Sequence, residues 1–310
     1  IMNTETKQKR HRFLDHPIFS GIILFFAYGL MTGLIGLFIK PLKTSPELYA
    51  AASFLASVLP ALLIVLLVKL ALKNGWILGF RSKNFVECLK LGWLFPAFLV
   101  LQFAFNCTDL SWVNQISLTS CIVALFGAAS AGFSEEIMFR SLIANNMMRV
   151  WKDKKYGIYA AAVGSSVLFG LIHLMNMRLV GLTPALISQV FYAAAMGILF
   201  AAMYLRTRNL WGCIFMHFLF DFLNLVAVSG ASSHEGLAQI LNEPLSFASM
   251  FLNVVLIAGC LAGAAYLLRP AKHEQIKANW TPSEAEAKKN SSCKNSSSGC
   301  LKSNKYQIPN

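Results

Sequence analysis

Residues 118–140 read LTSCIVALFGAASAGFSEEIMFR, a long uncharged run that ends in two adjacent carboxylates and an arginine. About 20 apolar residues in a helix are enough to cross the hydrocarbon core of a bilayer. The segment therefore predicts a membrane-spanning helix. It also raises the question of why such a helix would contain Glu135, Glu136 and Arg140.

The rest of the chain has the same apolar character. Of 310 residues, 56% are hydrophobic and only 13% are charged, whereas soluble domains carry about 25% charged residues. Eight apolar spans can be drawn, at 18–39, 48–72, 88–106, 116–148, 156–177, 184–205, 209–229 and 246–268. The predicted fold is therefore all-α, a polytopic integral membrane helical bundle with about eight transmembrane helices.

Three regions follow from these spans. Residues 1–17 are expected to form a basic cytosolic N-terminus, and residues 18–268 an eight-helix membrane domain with its polar motifs in 120–228. Residues 269–310 are rich in Ser, Asn and Lys, and this composition predicts a polar, disordered cytosolic tail.

The net charge of +13 comes from loops and tails, so no folded basic domain for nucleic acid is indicated. Most Lys and Arg residues lie at the two termini and in every second connection. Only Lys40, Lys43 and Arg178 lie in the alternate connections. Positive loops stay in the cytosol, so both termini are expected there. A bacterial inner membrane is the expected location.

Six ionisable residues lie well inside the predicted spans, and they fall in only three of them: Glu135, Glu136, Arg140, His173, His217 and Asp221. Each charged side chain at mid-bilayer costs on the order of 2.5–3.5 kcal/mol. Such residues must be paired or hydrated in the folded bundle, and they mark a functional site by default.

Spacing separates the roles of the two glutamates. Residues four apart lie on one face of a helix, so Glu136 and Arg140 can form an ion pair. Glu135 is five residues from Arg140 and points elsewhere. A carboxylate without a cationic partner is free to take a proton from water, which makes Glu135 the candidate general base.

Two further pairs have the same spacing. Phe169 can pack one turn below His173 and fix its ring, and His217 lies four residues before Asp221 on a stripe that Asn224 continues. Asp221 can accept from one imidazole nitrogen of His217 and leave the other to face a metal or a substrate. Alternatively, both side chains are metal ligands.

Together these motifs resemble those of the CPBP family of intramembrane proteases, which includes CAAX prenyl endopeptidases and bacteriocin-processing or immunity (Abi) proteins. The resemblance covers roughly residues 120–228 and rests on EExxxR, FxxxH and HxxxD, each inside an apolar span. It implies hydrolysis of a peptide bond in or near the membrane, with membrane lipid and a peptide or protein substrate as partners.

The resemblance also implies roles for individual residues. Glu135 would activate water, with support from Glu136 and Arg140, while His173 and His217 would orient the water or bind a metal. CAAX proteases of the family commonly have Asn at the position of Asp221, although bacterial members often carry Asp. Because an ionised Asp cannot donate a hydrogen bond to an oxyanion, Asp221 would instead be protonated, bind a metal or orient His217.

A cofactor is not decided by the sequence. One divalent metal, most plausibly zinc, could be bound by Glu135, His173, His217 and Asp221, although HExxH is absent. A metal-free glutamate mechanism is the alternative. A proton- or ion-coupled transporter could use the same residues, but no internal repeat is evident. A non-catalytic immunity or scaffold protein would keep them for folding.

Overall fold

A computed structural model describes residues 13–72, 79, 84–106, 116–226 and 233–281, and all regular elements in these ranges are helical. The α-helices in chain order are α1 Pro17–Ile39, α2 Pro46–Leu72, α3 Phe85–Leu91, α4 Leu94–Asn106, α5 Leu118–Glu136, α6 Asn145–Trp151, α7 Gly157–Ile172, α8 Met177–Val180, α9 Pro184–Thr207, α10 Leu210–Val226, α11 Ser233–Asn242, α12 Phe247–Leu267 and α13 His273–Asn279. A π-helical segment, Ile137–Ala144, joins α5 to α6.

The described helices confirm the predicted polytopic bundle. Among the described residues, six helical segments are long and apolar enough to cross a membrane, and α3 and α4, bent by 64°, have the length and composition of a seventh if they act as one span. The apolar α10 is shorter, at 17 residues. These segments overlap the eight predicted apolar spans, and the number of them that cross the membrane stays a prediction. The bend of the third span at Gly92 and Trp93, and the shortness of α10, were not predicted.

Apolar side chains on the outer helices face outwards. Phe26 and Phe38 on α1 are 69% and 83% exposed, Leu59 on α2 is 57% exposed, and Val254 on α12 is 64% exposed. In water such an apolar surface would promote aggregation, whereas in a bilayer it is covered by lipid. The apolar exterior and the apolar spans together indicate an integral membrane protein.

Helix α9 lies at the centre of the bundle, packed against α7 on one side and α12 on the other. Its residues 200–205 are all completely buried, and a helix that is buried all round belongs to the core of its bundle. Helix α5 packs against both α2 and α10. The three spans that carry ionisable residues are therefore neighbours of α9 or of one another.

The C-terminal part of the chain differs from the prediction of a disordered tail from residue 269. Helix α13 is ordered because Ile276 and Trp280, four residues apart, are both buried. Trp280 Nε1 donates to the carbonyl oxygen of Leu205 at 3.0 Å, and Asn279 Nδ2 donates to that of Arg206 at 2.8 Å. The burial of two apolar side chains on one helical face thus stabilises a helix that the polar composition of the segment did not predict. Residues 282–310 lie outside the described ranges.

Candidate active site

The helix changes type within residues 132–140, GFSEEIMFR. Helix α5 ends at Glu136, and the following Ile137–Ala144 is π-helical. All eight residues of this segment are buried. A π-helical stretch adds a residue to the turn and is frequent at functional sites. Here it follows directly after the two glutamates.

Glu136 and Arg140 form the ion pair that their spacing predicts, with Arg140 NH1 2.9 Å from Glu136 Oε1. Both side chains are almost completely buried, at 0% and 1% exposure. The Arg140 guanidinium carbon lies 4.6 Å from the ring centre of Phe169 and 5.7 Å from that of Phe200. Cation–π contacts in such a dry setting supply about 2 kcal/mol or more. Phe169 therefore supports Arg140 as well as His173.

His217 lies among three carboxylates, and this arrangement corrects one prediction. Its Nδ1 is 2.9 Å from Glu136 Oε1, while its Nε2 is 3.4 Å from Asp221 Oδ2 and 3.7 Å from Glu135 Oε2. Asp221 lies nearest to Nε2, and Glu136 from α5 is bonded to Nδ1. The prediction that the other nitrogen of His217 faces a metal or a substrate therefore does not hold in this arrangement. The contact of Glu136 with His217 joins two helices, so spacing within one helix could not reveal it.

His173 is held as predicted from the same helix. It follows α7 in a 3₁₀ turn, His173–Asn176, and its Nδ1 is 2.9 Å from the carbonyl oxygen of Phe169. Because a carbonyl only accepts, Nδ1 carries the proton and a neutral ring has Nε2 as an acceptor. The ring centre of Phe169 lies 5.1 Å from the ring centre of His173 and 5.8 Å from that of His217, and the rings meet edge-on in both pairs. Phe169 thus separates and orients the two imidazoles.

Exposure divides the carboxylates into two kinds. Glu136 is completely buried, whereas the side chains of Glu135 and Asp221 are 26% and 24% exposed. Glu135 Oε2 has no hydrogen-bond partner in the described part of the chain. Glu135 and Asp221 therefore line the open side of the site, and Glu136 forms its closed floor with Arg140.

Gly132, one turn before Glu136, permits the close approach of α5 to α10. A Cβ atom at this position would lie 3.1 Å from the backbone nitrogen of Phe218 and 3.2 Å from the carbonyl oxygen of Ile214. These contacts are tight and involve backbone, which cannot move aside as a side chain can. Gly132 thus brings Glu136 within reach of His217.

We expect Gly132→Val to separate α5 from α10 and to lower the free energy of unfolding by about 1–3 kcal/mol, the usual cost of overpacking. The contact between Glu136 and His217 would be lost with it. Gly36→Val is the matched control, because no atom lies within 4 Å of a Cβ at Gly36. Thermal unfolding of the two variants in detergent provides the comparison. Equal stability of both would contradict this role of Gly132.

Asn224 takes part in a contact between helices. Gln102 Nε2 on α4 donates to Asn224 Oδ1 at 2.8 Å, and Asn224 Nδ2 donates to the carbonyl oxygen of Phe220 at 2.8 Å. Both polar groups of the amide are thus used, and Asn224 ties α10 to α4. Gln102 was not singled out from the sequence, although a lone amide in an apolar span is a usable signal.

Three aromatic residues near the site also went unnoticed in the sequence. Phe200 lies against Arg140 and, at 6.1 Å between ring centres, against His217. Tyr28 of α1 is close enough to Ser134 and Glu135 to interact with them electrostatically. Tyr192 of α9 packs on Phe220 with ring centres 6.0 Å apart and interacts electrostatically with Asp221. Aromatic residues are common in apolar helices, so only tertiary contacts distinguish these three.

The four candidate metal ligands, Glu135, His173, His217 and Asp221, lie in the same region, but their contacts are with other protein groups. Across the described residues, no three His, Cys, Asp or Glu side chains are placed to hold one ion. His217 directs Nδ1 to Glu136 and His173 directs Nδ1 to a carbonyl. Glu135 and Asp221 lie nearest to the same nitrogen, His217 Nε2. In both imidazoles Nε2 is thus the nitrogen that a metal would use, and the metal stays a prediction.

The site so far defines a cluster of two histidines, three carboxylates and one arginine within the helical bundle. Residues 117–223 match the family described as type II CAAX prenyl endopeptidase Rce1-like. This match confirms the resemblance to CPBP proteases and supports an endopeptidase of the CAAX protease type. It includes all six candidate catalytic residues and Phe169, and it ends one residue before Asn224. No curated protein and no solved structure gave a match.

Proposed function

We propose that the chain is an intramembrane endopeptidase that hydrolyses a peptide bond of a membrane-associated substrate with water activated by Glu135. The observation that carries this proposal is the 3.7 Å separation of Glu135 Oε2 and His217 Nε2, with the Glu135 side chain as a whole 26% exposed. Two groups this far apart can both contact one water molecule at about 2.8 Å.

The reaction proceeds in two steps. Glu135 takes a proton from the water as the water oxygen bonds to the carbonyl carbon of the substrate, and a tetrahedral oxyanion forms. The C–N bond then breaks, and Glu135 returns the proton to the departing amine. Each atom is accounted for, and Glu135 ends as it began. A positioned general base contributes about 10²–10⁴-fold to such a rate.

The other residues hold this arrangement in place. Glu136 Oε1 is ion-paired with Arg140 and accepts from His217 Nδ1, so Glu136 fixes the imidazole and is not available as a base. Asp221 lies on the other nitrogen of His217 and orients the ring. His173 presents Nε2 from the end of α7 and orients the water or the substrate.

No step of this mechanism uses a metal, and we propose that none is required. We therefore expect cleavage by the purified protein to survive prolonged treatment with a strong chelator such as 1,10-phenanthroline. The measurement is the initial rate before and after chelation, with metal analysis of the protein. A loss of activity that added zinc restores would contradict the metal-free mechanism and return Glu135, His173, His217 and Asp221 as ligands.

The proposal also includes the cellular location of the protein and its partners. We infer a bacterial inner membrane with both termini in the cytosol, since most Lys and Arg residues fall at the two termini and in every second connection of the sequence. The partners are then membrane lipid and a peptide or protein that reaches the open side of the site. The lipid-facing surface of α1, α2 and α12 supports the first of these partners.

A cleavage assay with a library of lipid-anchored peptides tests the activity. Purified full-length protein in nanodiscs should cut at least one peptide at a defined bond, as seen by mass spectrometry. The same protein in liposomes should not move protons or solutes. Transport without cleavage would instead favour a coupled transporter, and neither activity would favour a scaffold.

A further inference from the structure

An apolar cavity between α4, α9 and α12 has no part in the proposed chemistry. Its volume is about 230 Å³, and Leu94, Leu199, Gly259 and Cys260 are among the ten residues that line it, none of which is charged. Open space lies in front of Gly259, since no atom of the described residues would be within 4 Å of a Cβ atom there. The cavity therefore opens to the lipid-facing surface of α12. A dry cavity of about 150 Å³ can hold benzene, so this one is large enough for part of an acyl chain.

Two exposed aromatic residues mark the level of the lipid headgroups near this cavity. Trp93 lies just before α4 and Tyr266 lies in the last turn of α12, and they are 62% and 64% exposed. Aromatic residues of this kind are enriched at the membrane–water interface. Gly259 lies seven residues before Tyr266, or about 10 Å along the helix. Because the headgroup layer of one leaflet is roughly 5–8 Å thick, the cavity lies in the hydrocarbon of the same leaflet.

Two arginines meet at this end of α12. Arg206 NH1, from the last turn of α9, donates to the carbonyl oxygen of Leu267 at 3.1 Å. Arg269 NH1 donates to the carbonyl oxygen of Tyr266 at 2.6 Å. The two acceptors are consecutive residues, so both guanidinium groups lie at the same helix end. Leu199 of the cavity wall is seven residues before Arg206, which is two turns away along the same face of α9. The arginines therefore lie on the headgroup side of the cavity.

The charges of these arginines are not fully balanced by the surrounding protein. Neither forms an ion pair in the described part of the chain. The C-terminus of α12 carries only about half an elementary charge, and Glu87 of α3 acts on Arg206 without forming an ion pair with it. The Arg269 guanidinium carbon lies 3.9 Å from the ring centre of the exposed Tyr266, which holds it at the lipid-facing surface. A phosphate group readily accepts paired hydrogen bonds from such a guanidinium.

We propose that the cavity and the two arginines together bind one anionic phospholipid of the leaflet at this end of α12. One acyl chain lies in the cavity, and the phosphate lies against Arg269 and Arg206. A neutral lipid, or the lipid anchor of a substrate, could fill the cavity but would leave the two positive charges without a counter-ion. This inference goes beyond the proposed endopeptidase function and does not depend on it.

Native mass spectrometry of the purified full-length protein tests the headgroup site. The protein is released from nanodiscs with equal amounts of phosphatidylglycerol and phosphatidylcholine, and the lipids that stay bound are counted. We expect one phosphatidylglycerol molecule to be retained in preference to phosphatidylcholine. Each nearby arginine is worth about fivefold in the affinity for an anionic lipid, so Arg206→Gln with Arg269→Gln should lower this preference about 25-fold.

Two further variants accompany this measurement. Arg269→Gln alone changes a partly exposed residue, so it tests the site even where the double variant fails to fold, and it should lower the preference about fivefold. Arg178→Gln is the matched control, because Arg178 is an exposed arginine on α8. It should retain phosphatidylglycerol as the unmodified protein does.

Gly259→Leu tests the cavity. A leucine side chain fits the open space at this position and fills part of the cavity, so the variant should fold but retain less phosphatidylglycerol. Gly36→Leu on α1 is the matched control, since a Cβ atom at Gly36 also has nothing within 4 Å.

Three results would each overturn the proposal. They are equal retention of the two lipids by the unmodified protein, an unchanged preference in both arginine variants, and a Gly259→Leu protein that retains as much phosphatidylglycerol as the Gly36→Leu protein. No peptide is cleaved in these measurements, so their outcome is separate from that of the endopeptidase assay.

Discussion

Glu135→Gln should reduce peptide cleavage by about 10³-fold or more while leaving the protein folded. Glutamine has the shape of glutamate but cannot take a proton from water. The side chain is 26% exposed and its Oε2 has no hydrogen-bond partner in the described residues, so little stability depends on its charge. The measurement is the initial rate of cleavage in nanodiscs, with thermal unfolding of the same sample.

The control for this change is Glu274→Gln. Glu274 lies on α13, and its side chain is 87% exposed, so the same loss of a carboxylate there should alter neither rate nor stability. If Glu135→Gln cleaved as fast as the unmodified protein, Glu135 would not be the base. The hypothesis of a non-catalytic scaffold makes a different prediction, that the cellular function of the protein survives this substitution.

Arg140→Met should have the largest effect on stability, a loss of about 3–5 kcal/mol, because it leaves the buried charge of Glu136 without its cation. Methionine fills much of the same space between Phe169 and Phe200, so the loss comes from charge and not from a cavity. His217 Nδ1 remains 2.9 Å from Glu136 Oε1, but Glu136 has then lost one of its two partners. The measurement is reversible unfolding of the purified protein in mixed micelles.

A double variant separates the ion pair from the packing around it. Replacing a whole buried pair by neutral residues of similar volume is often harmless to stability. Arg140→Met with Glu136→Gln should therefore recover most of the lost stability, while cleavage stays low because His217 has lost its anchor. An Arg140→Met protein as stable as the unmodified one would show that Glu136 is not held as an anion by Arg140.

The sequence was sufficient for features that are local along one helix. Eight apolar runs became eight helical segments, because a bilayer accepts few other structures. The ion pair of Glu136 with Arg140 and the contact of Phe169 with His173 depend only on four-residue spacing. These relations hold whatever the neighbouring helices do, and for that reason they could be predicted.

Contacts between helices could not be predicted in this way. Spacing offered Asp221 as the partner of His217, whereas the bundle adds Glu136 from α5 at 2.9 Å. The sequence of α9 does not distinguish Phe200 or Tyr192 from other aromatic residues. Only the packing of α7 and α10 near them does. Trp280 was assigned to a disordered tail because composition averages over a segment and does not register two buried side chains on one face.

Hydrolysis of a lipid-anchored peptide in H₂¹⁸O tests the direct role of Glu135 most sharply. The peptide is incubated with the purified protein in nanodiscs, and the products are weighed by mass spectrometry. We predict a defined cut with one ¹⁸O atom in the new carboxyl group for the unmodified protein and an intact peptide for Glu135→Gln. An intact peptide with both proteins, or the same labelled products with both, would contradict water activation by Glu135.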